Sequence, residues 1–232
     1  MEHPKSDYKE YPKTLAPDDF WGQVRRTVHG VPVSEGQISM IVNAIKTGLE
    51  LDQGDVLLDL ACGNGALSRY LFDSCGQFLG VDHSEYLIEV AKRNFEILPN
   101  FEFRVGEVSE YVRSGIDPTR FTKVLSYGSF PFFTADGART VLQGLSDRFV
   151  NIRKVFIGNL PDKERAHLFY PLGTDYSSML SDPVSQIGIW RSRDEMEDLA
   201  LETGWKDIRF QSMPQEFYAA HYRYDMILQR GD

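Results

Sequence analysis

Acidic and glycine residues occur close together in the segment 56–65, which reads V-L-L-D-L-A-C-G-N-G. Gly63 and Gly65 would let the backbone approach a ligand closely, and the first N–H groups of a following helix would face that ligand. Asp59, at the end of the apolar run, is poorly placed for a pyrophosphate and well placed for a positively charged group. The segment therefore predicts a binding corner for a small ligand that carries a cation.

Two more acidic residues follow later apolar runs. Asp82 ends the run 78–82 and comes about 20 residues after Gly63, the interval at which an acidic residue accepts hydrogen bonds from ribose hydroxyls. Glu107 follows the run 101–105 and could accept a hydrogen bond from an exocyclic amine such as that of adenine. Because ligands of open α/β sheets bind outside the carboxyl ends of the strands, we expect these carboxylates to converge on one site.

The elements that must position these residues alternate between strands and helices. Apolar runs of strand length predict strands at 56–60, 78–82, 101–105, 124–126 and 155–158. This alternation is typical of an α/β protein with a parallel, doubly wound sheet. Two last strands, at about 205–211 and 222–229, are joined by a connection without a helix, which predicts that they pair antiparallel.

Capping residues and apolar spacing predict the helices. Capping boxes begin at Ser34 and Ser192, and another helix should run over about 66–74. Asp18 or Asp19 should cap a short helix that continues through Val28 and ends at Gly30. That N-terminal helix is either a packing element or a lid over a substrate pocket, and its pattern favours neither.

The helices and strands divide the chain into two parts. We expect an N-terminal arm with a short cap helix over 1–34 and a ligand-binding domain over 35–232. Residues 160–190 lose all periodicity, and long irregular segments in compact domains usually carry function. We interpret this stretch as an insertion on the substrate side of the domain.

The composition is that of an ordinary globular protein. The chain has 232 residues, of which 42% are hydrophobic and 25% charged, enough for one α/β domain with a full core. It has no apolar run of about 20 residues and no apolar core of a secretory signal, so we expect a cytoplasmic protein without a membrane partner. The two cysteines lack metal-ligand spacing, and the net charge of −9 argues against a nucleic-acid partner.

The motif 58–65, together with Asp82 and Glu107, resembles the class I S-adenosylmethionine-dependent methyltransferases over roughly residues 35–230. The resemblance implies a Rossmann-like sheet of seven strands in the order 3-2-1-4-5-7-6, with the last strand antiparallel and S-adenosylmethionine as cofactor. Ala61 stands where many members have a glycine, and Glu107 where many have an aspartate. The cofactor contacts that the resemblance implies are Asp59, Ala61, Cys62, Gly63, Asn64, Gly65, Asp82, His83, Glu107, Val108 and Ser126.

From this resemblance we hypothesise methyl transfer to a small molecule, in which the protein mainly positions the acceptor. We expect the acceptor pocket to form from the N-terminal arm, the aromatic loop 127–133 and residues 160–190. Candidate catalytic residues are His167 and Tyr127, and candidate substrate contacts are Trp21, Arg25, Phe130, Tyr170 and Arg191. The sequence leaves open the acceptor, the atom that is methylated and the oligomeric state.

Other functions remain open for the same corner. A non-catalytic binding or partner protein could keep the cofactor fold, since no catalytic base is secure. An NAD(P)-dependent oxidoreductase would use a similar corner, but Ser68 replaces the third glycine of its motif and Asp59 would face the pyrophosphate. A nucleic-acid methyltransferase is suggested only by residues 129–133, which lack the Asn or Asp and the double proline of the N-P-P-Y type loop.

Overall fold

A seven-stranded sheet forms the centre of the computed structural model, which describes residues 7–231. The strands in chain order are β1 (Thr27–Val28), β2 (Val31–Pro32), β3 (Val56–Leu60), β4 (Gln77–Asp82), β5 (Phe101–Val105), β6 (Lys123–Tyr127), β7 (Lys154–Pro161), β8 (Asp207–Gln211) and β9 (Arg223–Gln229). The order in the main sheet is β5-β4-β3-β6-β7-β9-β8, and only β9 runs antiparallel to its neighbours. The doubly wound α/β fold expected from the sequence is confirmed, including its strand order.

Helices cover both faces of this sheet. They are α1 (Phe20–Gln23), α2 (Glu35–Leu49), α3 (Glu85–Phe95), α4 (Val108–Ser114), α5 (Ala135–Arg148) and α6 (Arg193–Glu202). Ser34 accepts a hydrogen bond from the Gln37 amide at the start of α2, and Ser192 forms a complete capping box with Glu195. Helix α4 was not predicted, because its seven residues are too few to show a helical period.

Alternate residues of the central strands face two separate cores. Leu57 and Leu125 belong to the core that packs against α2 and α3. Leu58, Leu60 and Val124 belong to the core on the opposite face, against α5 and α6. All five side chains are completely buried, and burial of each contributes about 1.5–3 kcal/mol, so the strand ends are held firmly in place.

The N-terminal segment, residues 7–33, differs from the predicted helix. Helix α1 ends at Gln23, and Arg25 takes a left-handed backbone with φ 51°. The chain then forms the β1–β2 hairpin, in which His29 and Gly30 both have positive φ, at 50° and 78°. Gly30 is therefore a residue of a two-residue hairpin turn and does not end a helix.

Two other segments also differ from the expectation. The helix predicted over 66–74 is a 3-10 helix at Ser68–Ser74. Residues 160–190 contain two 3-10 helices, Lys163–Leu168 and Ser177–Ser181, and pack through an aromatic cluster that includes Tyr170 and Trp190. No helix among residues 7–231 has the length and apolar character that crossing a bilayer requires.

Candidate cofactor and acceptor sites

The loop after β3 contains three residues with left-handed backbone: Ala61, Gly63 and Gly65, with φ of 60°, 59° and 74°. A Cβ on Gly65 would lie 2.7 Å from the Phe103 ring, and a Cβ on Gly63 would lie 2.9 Å from Val24 Cγ1. Glycine is therefore required at both positions by conformation and by space. Ala61 adopts the same conformation with a side chain, which costs about 1–2 kcal/mol.

Asp59 lies beneath this loop with only 4% of its surface exposed. Its carboxylate accepts a hydrogen bond of 2.7 Å from the Ser68 hydroxyl. Burial raises the pKa of Asp59 to about 7, against the opposing effect of the Ser68 hydrogen bond, and the nearby Asp82 raises it further. A cation brought to this carboxylate would favour its charged form, so the position suits an ammonium group.

Asp82 joins the end of β4 to the glycine loop. Its Oδ2 accepts a hydrogen bond of 2.9 Å from the Gly63 amide, and its Oδ1 accepts one of 2.8 Å from the Ser84 amide. Burial raises the pKa of this carboxyl, and the backbone hydrogen bonds oppose that effect. Each carboxylate oxygen retains a second acceptor position, so the pair can still receive two hydroxyl groups.

Glu107 and Val108 lie where β5 passes into α4. Glu107 caps the helix by accepting from the Glu110 amide at 2.8 Å, and it also accepts from Ser109 Oγ at 3.1 Å. Its side chain is exposed, whereas Val108 is buried at the first position of α4. The N–H groups of a first helical turn have no acceptor within the helix, so that of Val108 can serve a ligand.

These strand ends line one cavity, which we call the cofactor cavity. Its walls include nine of the residues predicted for the cofactor: Asp59, Ala61, Cys62, Gly63, Asn64, Asp82, His83, Glu107 and Val108. Gly65 and Ser126 are not in its lining: Gly65 packs on Phe103, and Ser126 is hydrogen-bonded to Ser129. Trp21 and Tyr127, predicted as substrate-binding and catalytic, also line this cavity.

A second cavity adjoins the first, and we call it the arginine cavity because Arg25, Arg26 and Arg223 line it. Its volume is about 620 Å³, within the usual range for small-molecule sites. Five residues line both cavities and form a shared wall: Tyr8, Val24, Arg26, Gly128 and Phe132. The two cavities are therefore neighbours, with these five residues between them.

The N-terminal segment covers both cavities. Asn64 of the glycine loop donates to Phe20 O at 2.8 Å and to Gln23 Oε1 at 3.0 Å, and Gln23 donates to Ala16 O at 3.0 Å. The Arg26 guanidinium lies 4.8 Å from the centre of the Tyr127 ring. These contacts tie the segment to the cofactor loop, and they fit both the packing element and the lid that the sequence leaves open.

The two candidate catalytic residues are placed differently. His167 is exposed and lines neither cavity, although the following residues Leu168 and Phe169 line the arginine cavity. Tyr127 lines the cofactor cavity, and its buried hydroxyl has no hydrogen-bond partner among the described residues. Burial raises the pKa of Tyr127 well above its ordinary value, so at neutral pH the phenol can donate a hydrogen bond but cannot act as a base.

Three of the five predicted substrate contacts lie outside both cavities. Phe130 is completely buried in the core, and Tyr170 stacks on Tyr176 with ring centres 4.6 Å apart. Arg191 donates to Phe133 O at 2.7 Å, so it braces the aromatic loop. Arg25, in contrast, lines the arginine cavity, and Trp21 lies in the neighbouring cofactor cavity.

Sequence reasoning missed several residues of the arginine cavity, among them Tyr8, Asn159, Tyr218 and Arg223. Asn159 lies at a register shift in β7 and has φ 66°. It lines the cavity because the strand is irregular at this point. The pair Arg25–Arg26 was noticeable as a basic cluster in the sequence. The other residues carry no local signal, because distant segments bring them to the cavity.

The residues present fit the cofactor that the resemblance implies. Buried Asp59 supplies an anion for an ammonium group, and Asp82 supplies acceptors for ribose hydroxyls. Apolar side chains of the same cavity, including Leu87, Val108 and Phe133, supply surface for a purine ring. These acceptors and apolar side chains therefore suit a nucleoside with a cationic tail.

Comparisons with known proteins agree with this fold. Residues 57–148 match a family model described as a methyltransferase domain. An uncharacterised 37.1 kDa protein in transposon TN4556 of Streptomyces fradiae is 27% identical over 166 residues, which cover 68% of this chain and 45% of that protein. The mRNA cap guanine-N(7) methyltransferase of Candida glabrata is 28% identical over 124 residues, covering 48% of this chain and 30% of that protein. The chain thus spans less than half the length of these curated relatives.

Among solved structures, magnesium protoporphyrin IX methyltransferase from Synechocystis PCC 6803, with bound S-adenosylhomocysteine, is similar with a TM-score of 0.62. The sequence identity is 14%, and the match covers 92% of this chain and 97% of that one. At this identity the likeness concerns the fold, which has the same architecture. The family match over residues 57–148, the strand order and the glycine loop together identify a methyltransferase domain of the class I fold, with S-adenosylmethionine as its cofactor.

Proposed function

We propose that this protein transfers the methyl group of S-adenosylmethionine to a small-molecule acceptor bound in the arginine cavity. The observation that carries the proposal is the wall shared by the two cavities at Tyr8, Val24, Arg26, Gly128 and Phe132. A donor in one cavity and an acceptor in the other would lie next to each other at these residues. The N-terminal segment covers both cavities, and such a cover would exclude water from the reacting groups.

In this proposal the cofactor cavity holds the donor through its two buried carboxylates. Asp59 binds the ammonium group of the methionine tail, and Asp82 accepts hydrogen bonds from the ribose hydroxyls. The Val108 N–H serves a ring nitrogen of adenine. Glu107 can accept from the adenine amine only with the lone pairs that its helix cap leaves free.

The protein contributes alignment more than proton transfer. S-adenosylmethionine supplies a methyl group already activated by the positive sulfur. A lone pair of the acceptor forms the new bond to the methyl carbon while the carbon–sulfur bond breaks, and the electron pair of that bond stays on sulfur. Among the described residues, the shared wall has no carboxylate or imidazole, so holding the acceptor in line is the main task left to the protein.

If the acceptor must lose a proton, the imidazoles available in the arginine cavity are those of His29 and His221. The Tyr127 hydroxyl, in the cofactor cavity, serves as a hydrogen-bond donor in our proposal. His167 is not part of it, because its side chain is exposed outside both cavities.

Two features favour a small acceptor over a nucleic acid: the net charge of the chain and the position of the arginines inside a cavity. The net charge of −9 opposes a polyanion, which needs a broad basic surface. The arginines that could bind phosphate line a cavity beneath the N-terminal segment. The cap methyltransferase among the relatives matches less than half of this chain, so its substrate is a weak guide to the acceptor.

The proposal is tested by turnover. Purified protein is incubated with S-adenosylmethionine and a panel of small acceptors, and release of S-adenosylhomocysteine is measured against a no-acceptor control. We expect acceptor-dependent release that Asp82→Ala abolishes and that the exposed, distant variant Arg139→Gln leaves unchanged. Tight binding of S-adenosylhomocysteine without turnover on any acceptor would support the non-catalytic alternative.

A further inference from the structure

Three cations of the arginine cavity have no anionic partner. Arg25, Arg26 and Arg223 all line it, and its lining contains no aspartate or glutamate among the described residues. Within residues 7–231 no carboxylate lies within 4.0 Å of any of the three guanidinium groups. This concentration of positive charge is unusual in a chain whose net charge is −9. The cavity therefore has a positive potential, which would attract an anion.

The guanidinium groups of Arg25 and Arg26 also retain their hydrogen-bonding capacity. Arg25 lies 4.1 Å from the centre of the Tyr11 ring and Arg26 lies 4.8 Å from that of Tyr127. Such stacking occupies the faces of the groups and leaves the N–H donors at their edges. The Nε atoms of both are buried without a hydrogen-bond partner in the described chain. No protein group in this part of the chain competes for these guanidinium groups, so their terminal N–H donors remain for a ligand that supplies oxygen acceptors.

Another polar group of the cavity also lacks a hydrogen-bond partner. Asn159 lies at the register shift of β7, and its buried Oδ1 has no partner among the described residues. Arg223, at the start of β9, donates to the Asn159 carbonyl and lines the cavity with its remaining donors. The nearby buried Asp225 already accepts from the Asn159 amide and from Gln211.

Backbone strain falls at the same place. Three non-glycine residues of the arginine cavity, Arg25, His29 and Asn159, hold left-handed backbone with φ of 51°, 50° and 66°, and that of His29 belongs to the hairpin turn. Each such conformation costs about 1–3 kcal/mol and commonly occurs where a side chain is held for binding. Strain at Arg25 and Asn159 supports a binding role for the cavity that contains them.

We propose that the arginine cavity is the binding site for an acidic acceptor, a small planar molecule whose carboxylate or phosphate is held by Arg25 and Arg223. This inference rests on the proposed function, since it names the class of acceptor. Aromatic side chains at Phe132, Phe169 and Tyr222 provide flat walls for such a molecule. Arg26 lines both cavities, so it can orient the acceptor toward the shared wall.

The test compares acids with their neutral analogues. The protein is saturated with S-adenosylhomocysteine, and a set of aryl carboxylates, the matching primary amides and the matching aryl phosphates is screened by thermal shift and then by calorimetry. We expect carboxylates or phosphates to bind and the amides of the same ring systems to bind at least tenfold more weakly. The ratio of carboxylate to phosphate affinity identifies which oxyanion the site accepts.

Variants identify the site of binding. Arg25→Gln and Arg223→Gln should each weaken the best acid about tenfold or more, because a charged hydrogen bond contributes about 1.5–3 kcal/mol. Arg139→Gln removes an exposed arginine away from both cavities and should change nothing. Arg25 makes no hydrogen bond through its side chain in the described chain, so its replacement should preserve the fold.

Several outcomes would overturn the inference. These are equal binding of acids and amides, acid binding that neither arginine variant weakens, absence of any acid that binds, or binding of an oligoribonucleotide alone. S-adenosylhomocysteine binding is measured in the same samples. If it is retained while the acids fail to bind, the inference is wrong and the cofactor assignment survives. If it is lost, the proposed function fails first.

Discussion

The two cavities have opposite charges and different origins. The cofactor cavity contains buried carboxylates, Asp59 and Asp82, at the ends of strands held between two cores. The arginine cavity contains Arg25 and Arg223, supplied by the N-terminal segment and by an antiparallel strand added at the far side of the sheet. The cofactor cavity is thus built into the sheet, whereas the cavity that we propose for the acceptor is assembled from segments around the sheet.

The charges of the two cavities suit their proposed ligands. A donor with an ammonium group and a positive sulfur would lie beside two carboxylates, and an acidic acceptor would lie beside three arginines. The shared wall then separates a negative protein surface from a positive one. Each ligand would be attracted to its own cavity and disfavoured in the other.

The largest expected effect comes from Asp82→Ala. This change removes the proposed ribose acceptor and the hydrogen bonds to the amides of Gly63 and Ser84, each worth about 1.5–3 kcal/mol because the acceptor is charged. S-adenosylhomocysteine affinity, measured by calorimetry, should fall about 100-fold or more. The control Asp73→Ala removes an exposed carboxylate and should leave affinity unchanged. Undiminished binding by the Asp82 variant would break the assignment of the cofactor cavity.

A stability measurement compares glycines of the two regions. Gly65→Ala would place a Cβ 2.7 Å from the Phe103 ring at φ 74°, whereas Gly30→Ala meets nothing within 4 Å at a similar φ of 78°. Urea unfolding should show a loss of about 3 kcal/mol for Gly65→Ala, since strain and overpacking combine, and about 1 kcal/mol for Gly30→Ala. Equal losses would mean that the cofactor loop is not more tightly packed than the hairpin.

A smaller effect should appear in the pH dependence of cofactor binding. The pKa of Asp59 is raised to about 7 by burial, and the ammonium of S-adenosylhomocysteine favours the ionised carboxylate. Affinity should therefore rise as pH increases through the range below 7, by up to about tenfold per unit for one proton, and level off above it. Asp59→Asn should bind more weakly at pH 8 and lose this slope. An unchanged slope in that variant would show that another group titrates.

The raised pKa of Asp59 also affects the stability of the ligand-free protein. Because the folded pKa of Asp59 is higher than its ordinary value, the folded state is favoured at low pH, and this contribution is lost as pH rises through about 7. Asp59→Asn should remove that part of the pH dependence of unfolding. Urea midpoints measured at pH 5 and pH 8 for both proteins provide the check.

The smallest expected effect is a gain of stability from Ala61→Gly. Ala61 holds φ 60° inside the glycine loop, where glycine avoids the strain of a left-handed alanine. After the entropy that glycine loses on folding, the net gain should be about 0.5–1 kcal/mol in urea unfolding. A loss of stability would mean that the packing of the Ala61 methyl group outweighs its backbone strain.

How much the sequence predicts also differs between the two cavities. The segment Val56–Gly65 and Asp82 carry local signals, because a buried strand, a glycine turn and an acid at a fixed interval are read within one βαβ unit. They carry the resemblance that implies the fold, the strand order and the cofactor contacts, of which the fold and the strand order are confirmed. The residues left outside the lining, Gly65 and Ser126, show that proximity in sequence does not say which atoms reach the cavity.

The arginine cavity could not be predicted in this way. Phe130, Tyr170 and Arg191 were expected there from their residue types, yet the two aromatic rings pack in the cores and Arg191 binds a backbone carbonyl. Asn159 and Arg223 reach the cavity through a strand irregularity and an antiparallel pairing between distant segments. Such long-range placement leaves no periodic pattern in the sequence.

A crystal structure of the complex with S-adenosylhomocysteine is the most direct test of the two-cavity account. We expect the ammonium group within about 3 Å of an Asp59 oxygen, the ribose hydroxyls on Asp82 and the sulfur at the wall shared with the arginine cavity. A sulfur atom directed away from Tyr8, Val24, Arg26, Gly128 and Phe132 would contradict the account, because the donor could then not reach an acceptor bound among the arginines.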